Sequence, residues 1–428
     1  MDRQNIWWLA KSDYLKLLPV LALAFYMAFI PHQNYPYPVH IDEWVHMAYA
    51  KAVVHSGSIT FIDPFFGERT IGLTTNLEAA YHLFWGVFHQ ISGISWIAII
   101  RYSPAILFII TVLSVYILAQ REGFGWEAAF CTCFMITTVG ILGPGLFVPM
   151  AMGLLFIPLS IFVVFNFRTA WSYLVLLIFT SFLLAIHAPT AIALVLILIT
   201  YILLNLKDNF KHSLFVGLAM AIPFLVPFPW IFSKLGPTAQ MLFEPKPFPD
   251  YIQFPQLIKT YGYIPIAFCL LGTFLLAIKG RRKDYGLVFG LLVLVAMLAT
   301  FYTLHYGISV MYERGLTDMM LMMSIIAGAG LAGIKSIRLP LAIPFVSQHI
   351  GQILCAVLIG VSLFIGIPVR HDISFYHIID KADYEAFTWV RDNVSENYER
   401  AILDPWKATA FTAITQKRLY TRIHATPH

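Results

Sequence analysis

Charged residues are scarce in this sequence. Asp, Glu, Lys and Arg make up only 12% of its 428 residues, whereas 59% are hydrophobic and the mean hydropathy is +0.74. Soluble domains contain about 25% charged residues, so a water-soluble globular fold is excluded. The net charge of +5 lies largely in loops between apolar segments, where Lys and Arg set membrane orientation. It therefore gives no indication of a nucleic-acid partner.

Cysteines and acidic residues are also few, and their positions narrow the classes of protein that this sequence can encode. The four cysteines all lie in apolar segments, which favours buried thiols over disulfides or metal ligands. The 23 acidic residues fall in loops, in the C-terminal tail or at helix ends. Ion-coupled transporters and proton pumps usually place ionisable groups near the membrane midplane. This distribution argues against that class of protein.

Long apolar runs separated by short polar gaps predict a single membrane domain, residues 1–370, followed by a small tail, 371–428. We predict an all-α polytopic protein with about eleven transmembrane helices, because each crossing needs roughly 20 apolar residues. The predicted spans are 14–31, 97–119, 126–142, 147–166, 171–187, 189–206, 212–232, 261–279, 285–304, 317–334 and 349–367.

Basic residues mark every second connection between these spans, which the positive-inside rule assigns to the cytoplasm. They are Arg3, Lys11, Lys16, Arg121, Arg168, Lys207, Lys211, Lys279, Arg281, Arg282, Lys283, Lys335 and Arg338. We therefore predict an integral protein of the plasma membrane or an equivalent membrane, with a cytoplasmic N-terminus and an extracytoplasmic C-terminus. The stretch 78–95 is interpreted as an interfacial helix, because one more span would invert the charge pattern.

The extracytoplasmic segments are predicted to be the long loops 32–96 and 233–260, the loop 305–316 and the tail. The loop 233–260 is rich in proline and aromatic residues, and it is either a substrate lid or a rigid cover. The tail is predicted to be a small α/β segment with helices at 382–394 and 406–415 and candidate strands at 401–403 and 418–422. Because so short a segment buries little core alone, we expect it to pack on the outer loops.

The first outer loop carries the most informative acidic motif. Asp42 and His46 are four residues apart and share a helix face, whereas Glu43 is turned away by about 100°. A carboxylate beside an imidazole can act as a general base toward an acceptor hydroxyl. The alternative is that Asp42 and Glu43 cap the helix and complement its dipole.

Other polar residues of the outer side are candidates for binding. Arg101 and Arg314 lie near the outer ends of their spans, where a guanidinium can grip a lipid phosphate, snorkel to the headgroups or pair with a carboxylate. A divalent cation could bind His46, His82 and the nearby acids, although no close ligand spacing supports it. The remaining outer candidates are Asp63, Glu68, Arg69, Glu78, His187, His305, Tyr306 and Glu313.

This layout resembles the GT-C superfamily of membrane glycosyltransferases. Asp42-Glu43 is similar to the Asp-Glu pair of protein O-mannosyltransferases, an interfacial helix precedes the second span, and Glu313-Arg314 leads into the small residues 327–330. Two features depart from relatives: the turn 143–147 has no acidic residue, which leaves metal use open, and the Trp-Trp-Asp motif of oligosaccharyltransferases is missing.

The resemblance implies a polyprenyl- or dolichyl-phosphate sugar donor, an acceptor of unknown identity and inversion at the anomeric carbon. It implies that Asp42 is the general base, that Glu43 and His46 orient the acceptor or the base, and that Arg101 and Arg314 hold the phosphate. The other residues predicted to bind the substrate are Glu313, His82 and Tyr306.

Two other functions fit the same helices. A flippase or transporter for a lipid-linked substrate would keep the helix bundle and the arginines without chemistry, and it predicts that Asp42 is dispensable. A non-catalytic membrane scaffold predicts that Asp42 and Arg314 can be lost together.

Overall fold

The computed structural model describes residues 3–72, 75–226, 258, 261–306, 309–339, 344–395 and 400–422. Its helices are α1 (Arg3–Phe29), α2 (Ile41–Ser56), α3 (Ala79–Ser92), α4 (Trp96–Gln120), α5 (Gly125–Thr132), α6 (Pro149–Gly153), α7 (Phe156–Asn166), α8 (Ala170–Ile186), α9 (Ala188–Asn205), α10 (Phe210–Leu225), α11 (Tyr263–Lys279), α12 (Arg282–Leu304), α13 (Ser309–Lys335), α14 (Pro344–His371), α15 (Lys381–Asn393) and α16 (Pro405–Thr415). A 3-10 turn, Ile30–His32, continues α1. The strands β1 (Phe61–Ile62) and β2 (Thr70–Ile71) form one antiparallel pair.

The all-α membrane architecture is confirmed. Within the described ranges, 7 helical segments are long and apolar enough to cross a membrane. They are Tyr14–His32, Trp96–Gln120, Pro149–Asn166, Ala188–Asn205, Arg282–Leu304, Met311–Lys335 and Val346–His371, and the shorter apolar helices are α8, α10 and α11. The number eleven is not confirmed, and nearly all of the loop 233–260 lies outside the described residues.

The predicted span 126–142 does not form one helix. Helix α5 ends at Thr132, and residues 133–148 are irregular although mostly buried. Gly143 turns the chain there with φ 65°, and a Cβ at this position would lie 2.1 Å from the carbonyl oxygen of Ile136. Irregular backbone at membrane depth is tolerated only where protein or a cavity surrounds it. The segment 133–148 meets that condition, because its end forms part of the wall of a polar cavity.

Helix α13 runs through the centre of the bundle and packs against α5, α11 and α12. Its close approach to α11 depends on glycine, because a Cβ on Gly330 would lie 2.0 Å from the carbonyl oxygen of Phe268. A Cβ on Gly272 would likewise lie 2.0 Å from that of Ile326. Small residues allow helix backbones to approach in this way, and the contact fixes the second half of α13 against α11.

The predicted interfacial stretch does contain a helix, α3, which packs against α2 and α8. The tail forms both predicted helices, but its candidate strands contribute only the isolated parallel bridge between Ala401 and Leu419. The α/β character of the tail is therefore not confirmed. Its helix α16 packs on α2, where the Lys51 ammonium donates to the carbonyl oxygen of Ala413 at 2.6 Å.

Candidate active site

A cavity of about 210 Å³ opens where α2, α3 and α13 meet the turn between α8 and α9. Its apolar wall comes from Val45 and from the end of the irregular segment and the start of α6, through Leu142, Val148, Pro149 and Met150. Its polar lining consists of Asp42, His46, Glu78, His187 and Arg314. Residues distant in sequence thus contribute two carboxyl groups, two imidazoles and one guanidinium to one space.

The start of α2 places Asp42 at this cavity. His40 is the N-cap residue, and its Nδ1 accepts the backbone N–H of Asp42 at 3.1 Å. The Asp42 side chain is 41% exposed. Asp42 and His46 both line the cavity, as their four-residue spacing predicts, whereas Glu43 points elsewhere. Asp42 therefore has an accessible carboxyl group on the same face as an imidazole.

Glu43 is fully buried and acts as a connector between two parts of the backbone. Its Oε2 accepts the N–H groups of Val39 at 2.7 Å and His40 at 3.1 Å, which completes a capping box. Its Oε1 accepts the N–H of Phe147 at 2.7 Å. The capping alternative therefore applies to Glu43, which ties the start of α2 to the irregular segment, and Glu43 does not contact the cavity.

Behind His46 lies a polar cluster that joins His46 and His82 with Glu78, which is one of the acids considered above as possible cation ligands. The Nδ1 of His46 lies 3.0 Å from Nε2 of His82 and 3.8 Å from Oε2 of Glu78. The other ring nitrogen of His82, Nδ1, lies 3.1 Å from Nδ2 of Asn76. Glu78 and His82 are four residues apart at the start of α3, which is a spacing visible in the sequence. Asn76 carries no such signal, because a lone Asn before a helix is common.

Burial sets the ionisation of this cluster. It lowers the pKa of His82 to about 3 and holds the pKa of His46 well below its usual value, so both imidazoles are neutral near pH 7. Burial, with the charge of Asp42 as a second cause, raises the pKa of Glu78 to about 7, although a third of that side chain faces the cavity. In a low dielectric the charged form of each group is disfavoured.

The spacing of this cluster suits a divalent ion. One ligand atom from each of His46, Glu78 and His82 can be chosen so that all three lie within 4.8 Å of one another. Two imidazoles and one carboxylate are a donor set found in zinc sites. Whether these atoms are free to bind a metal depends on the directions of the hydrogen bonds that they make.

His187 lines the opposite side of the cavity, and it is a buried residue between α8 and α9. Its Nδ1 lies 2.8 Å from Oγ1 of Thr190, and Thr190 Oγ1 lies 3.5 Å from Oδ1 of Asp318. Burial, with Arg314 as a second cause, lowers the pKa of His187 to about 3. Asp318 is fully buried within the apolar segment Met311–Lys335. This corrects the expectation that no acidic residue lies inside a span.

Several predicted binding residues lie away from the cavity. Arg101 donates to the carbonyl oxygen of Gln33 at 3.4 Å, and its guanidinium packs over the rings of Phe29 and Tyr102. Glu313 and Tyr306 are likewise not among the described residues that line the cavity. His82 reaches it only through His46. Among the residues assigned to substrate or phosphate binding, Arg314 lines the cavity directly, and so do two of the other outer-side candidates, Glu78 and His187.

Comparison with known proteins shows a likeness of fold. No protein-family model matches the chain, and no curated protein matches its sequence. The structure is similar to that of the Archaeoglobus fulgidus oligosaccharyltransferase tethered with an acceptor peptide containing the NVT sequon, with a TM-score of 0.62 and 11% identity. The likeness covers 96% of this chain and 64% of that one.

Two further structures of the same archaeal oligosaccharyltransferase match comparably. The complex with an inhibitory peptide and a dolichol-phosphate gives a TM-score of 0.63 at 11% identity, over 96% of this chain and 65% of that chain. The complex with Zn and sulfate gives a TM-score of 0.61 at 12% identity, over 94% of this chain and 62% of that chain. This chain spans less than two thirds of the length of these neighbours. The chain thus shares its fold with this oligosaccharyltransferase.

Proposed function

We propose that this protein is an integral-membrane glycosyltransferase. It transfers a sugar from a polyprenyl- or dolichyl-phosphate-linked donor to an acceptor on the extracytoplasmic side, with inversion at the anomeric carbon. The observation that supports this most is the presence of Asp42 and Arg314 in one cavity. An inverting displacement needs a carboxylate to accept a proton and a cation to stabilise the departing phosphate. The shared fold with a structure that holds a dolichol-phosphate adds support.

In the proposed reaction Asp42 takes the proton from the acceptor hydroxyl while the oxygen of that hydroxyl attacks the anomeric carbon. The bond between that carbon and the phosphate oxygen breaks, and the lipid phosphate leaves with both bonding electrons. Arg314 is assigned to the phosphate because a guanidinium binds phosphate oxygens in pairs. Glu43 supports the site through the backbone N–H groups that it accepts, and Arg101 receives no role in catalysis, since it lies outside the cavity.

A flippase for a lipid-linked substrate remains the second candidate because of one observation. Asp318 is a buried acidic residue within the candidate span Met311–Lys335, which is the kind of group that transport proteins use. Such a protein would bind the same lipid phosphate but would leave the glycosidic bond intact.

Sugar release separates these functions. Purified protein in lipid nanodiscs is incubated with a radiolabelled dolichyl-phosphate-linked hexose and a mixture of hydroxyl acceptors, and free or transferred sugar is counted. We expect release above that of empty nanodiscs. Donor binding without any release, combined with movement of the donor between leaflets of proteoliposomes, would establish the flippase instead.

Replacing Arg314 with Gln is expected to weaken donor binding by about 10–100-fold, because a charge-assisted hydrogen bond contributes about 1.5–3 kcal/mol. The dissociation constant is measured in nanodiscs with the same donor. Arg101→Gln is the matched control, since that arginine packs on Phe29 and Tyr102 outside the cavity. Equal weakening by both changes would mean that surface charge, rather than the cavity, attracts the donor.

The pKa of Glu78, raised to about 7, predicts pH-dependent donor binding. Below that value the carboxyl group is neutral, and above it a negative charge faces the bound phosphate. Donor binding should therefore weaken as the pH rises from about 6 to about 8, by up to about tenfold. The donor is a phosphodiester and does not titrate in this range, and His46 and His187 stay neutral throughout it. Glu78→Gln should abolish the dependence, and an unchanged pH profile in that variant would exclude Glu78 as its source.

A further inference from the structure

The hydrogen bonds behind the cavity have directions that can be worked out from one backbone group. The N–H of Glu78 donates to Oδ1 of Asn76 at 3.2 Å. A backbone nitrogen can only donate, so the atom that it meets must be the amide oxygen. The Asn76 amide nitrogen is then the atom that faces Nδ1 of His82 at 3.1 Å. His82 therefore accepts a hydrogen bond through Nδ1.

This first direction determines the next two. A neutral imidazole has one protonated nitrogen, so His82, which accepts at Nδ1, carries its proton on Nε2. That nitrogen donates to Nδ1 of His46 over 3.0 Å. His46 is also neutral, and its own proton is consequently on Nε2. The hydrogen bonds that run from Asn76 through His82 thus set the tautomer of His46, which lines the cavity.

His187 reaches the same tautomer by a separate route. The backbone N–H of Thr190 donates to its Nδ1 at 3.4 Å, and the Thr190 hydroxyl lies 2.8 Å from the same nitrogen. A nitrogen that accepts from a backbone amide carries no proton, so the His187 proton is also on Nε2. The Thr190 hydroxyl has one proton, which it donates to Nδ1 of His187 at 2.8 Å rather than to Oδ1 of Asp318 at 3.5 Å. Two imidazoles on different elements therefore hold the same protonation pattern at one cavity.

We infer that His46 and His187 are uncharged N–H donors to the phosphate of the lipid-linked substrate, and that Asn76, His82 and Thr190 are positioning residues that hold their tautomers. This inference rests on the proposed function, which it deepens by assigning the phosphate subsite. Preorganised N–H groups stabilise charge that develops on a leaving oxygen and cost no reorganisation. Arg314 supplies the positive charge, and neutral imidazoles leave the Asp42 carboxylate without an additional cationic partner, so it stays available as a base.

The same directions bear on metal binding. A histidine binds a metal through a nitrogen lone pair, but Nε2 of His82 carries a proton. The atoms of His46, Glu78 and His82 are close enough for a cation, yet the hydrogen-bonded state that Asn76 imposes does not fit one. Asn76→Asp should reverse the directions of these hydrogen bonds, because a carboxylate accepts from Nδ1–H of His82. The Nε2 atom of His82 would then carry no proton and would be free to bind a metal.

Amide substitutions at His46 and His187 test the inference. The amide nitrogen of Gln reaches about as far as Nε2, whereas that of Asn reaches about as far as Nδ1. Binding of dolichyl phosphate in nanodiscs at about pH 7 should stay within about threefold in each Gln variant and fall at least about tenfold in each Asn variant. Tighter binding by the Asn variants than by the Gln variants would overturn the proposal.

A spectroscopic measurement tests the tautomers without relying on activity or binding. In protein labelled with 15N-histidine, the imidazole signals of His46, His82 and His187 are assigned by their absence in the Gln variants. We expect all three as neutral Nε2–H forms between about pH 6 and pH 8. Asn76→Asp should move the His82 proton to Nδ1 and tighten Zn²⁺ binding at least about tenfold. His89→Gln on α3 is the control and should change neither.

Two results would overturn the inference: cationic imidazoles at His46 and His187 near pH 6, or tight Zn²⁺ binding by the wild-type protein that is lost in His82→Gln. Failure of the proposed function looks different. If sugar release were absent while the tautomers and the Gln-over-Asn order of phosphate binding held, glycosyl transfer would be excluded, and the phosphate subsite would stand.

Discussion

Asp42→Asn is expected to lower sugar release by about 10²–10⁴-fold, which is the usual contribution of a general base. The substitution keeps the size of the side chain and removes its ability to take a proton. Asp42 is 41% exposed, and the bond at 3.1 Å that holds the start of α2 uses its backbone N–H. Folding and donor binding should therefore change little. Release is measured from the radiolabelled dolichyl-phosphate-linked hexose, and donor binding is measured separately.

Asp372→Asn is the control for this experiment, because that residue is exposed just beyond the end of α14 and does not line the cavity. It should retain full activity. A variant Asp42→Asn that still released sugar at the wild-type rate would remove Asp42 from the mechanism. In that case the flippase and scaffold functions, both of which predict that this residue is dispensable, would gain support.

Glu43→Gln should destabilise the protein, although it is the same carboxylate-to-amide change as Asp42→Asn and lies only one residue further along. The buried carboxylate accepts three backbone N–H groups, from Val39, His40 and Phe147. Gln offers one oxygen, and its amide group would face at least one of these donors. We expect a loss of about 2–4 kcal/mol in the free energy of unfolding, because an unsatisfied buried donor costs about 1–3 kcal/mol and bonds to a charged group contribute more than neutral ones.

The measurement is thermal unfolding in detergent, followed by helical circular dichroism, with Asp42→Asn as the matched control. The Tm should fall for Glu43→Gln and stay near the wild-type value for the control. Wild-type stability combined with lost sugar release in Glu43→Gln would show instead that Glu43 orients the acceptor or the base, as the family resemblance implies.

The helical spacing of the motif was informative because it is a local property. Residues four apart lie on one face of a helix, so the sequence alone pairs Asp42 with His46 and separates Glu43 from them. What Glu43 does on its own side could not be predicted. Its partner Phe147 lies 104 positions away, in a segment whose sequence is apolar enough to predict a helix.

The span 126–142 shows why apolar composition alone misled the prediction. Hydropathy measures how well residues avoid water, but it does not distinguish a membrane helix from irregular backbone buried in protein. The turn at Gly143 is possible because neighbouring elements cover it. Helix α13 gives the opposite case: its small residues and its arginine were recognised from the sequence. Gly328 and Gly330 lie at close helix contacts, and Arg314 lines the cavity.

By itself, the sequence determined that this protein is an all-α membrane protein and that one helix face near its start carries an acid and an imidazole, because hydropathy and helical period depend only on neighbouring residues. Only the tertiary structure decided which distant groups join them. Glu78, His187 and Arg314 reach the cavity because α3, α9 and α13 pack around it. The tautomer of His46 depends on the same packing, because burial keeps the imidazoles neutral and the proton that His46 accepts comes from His82, 36 positions away.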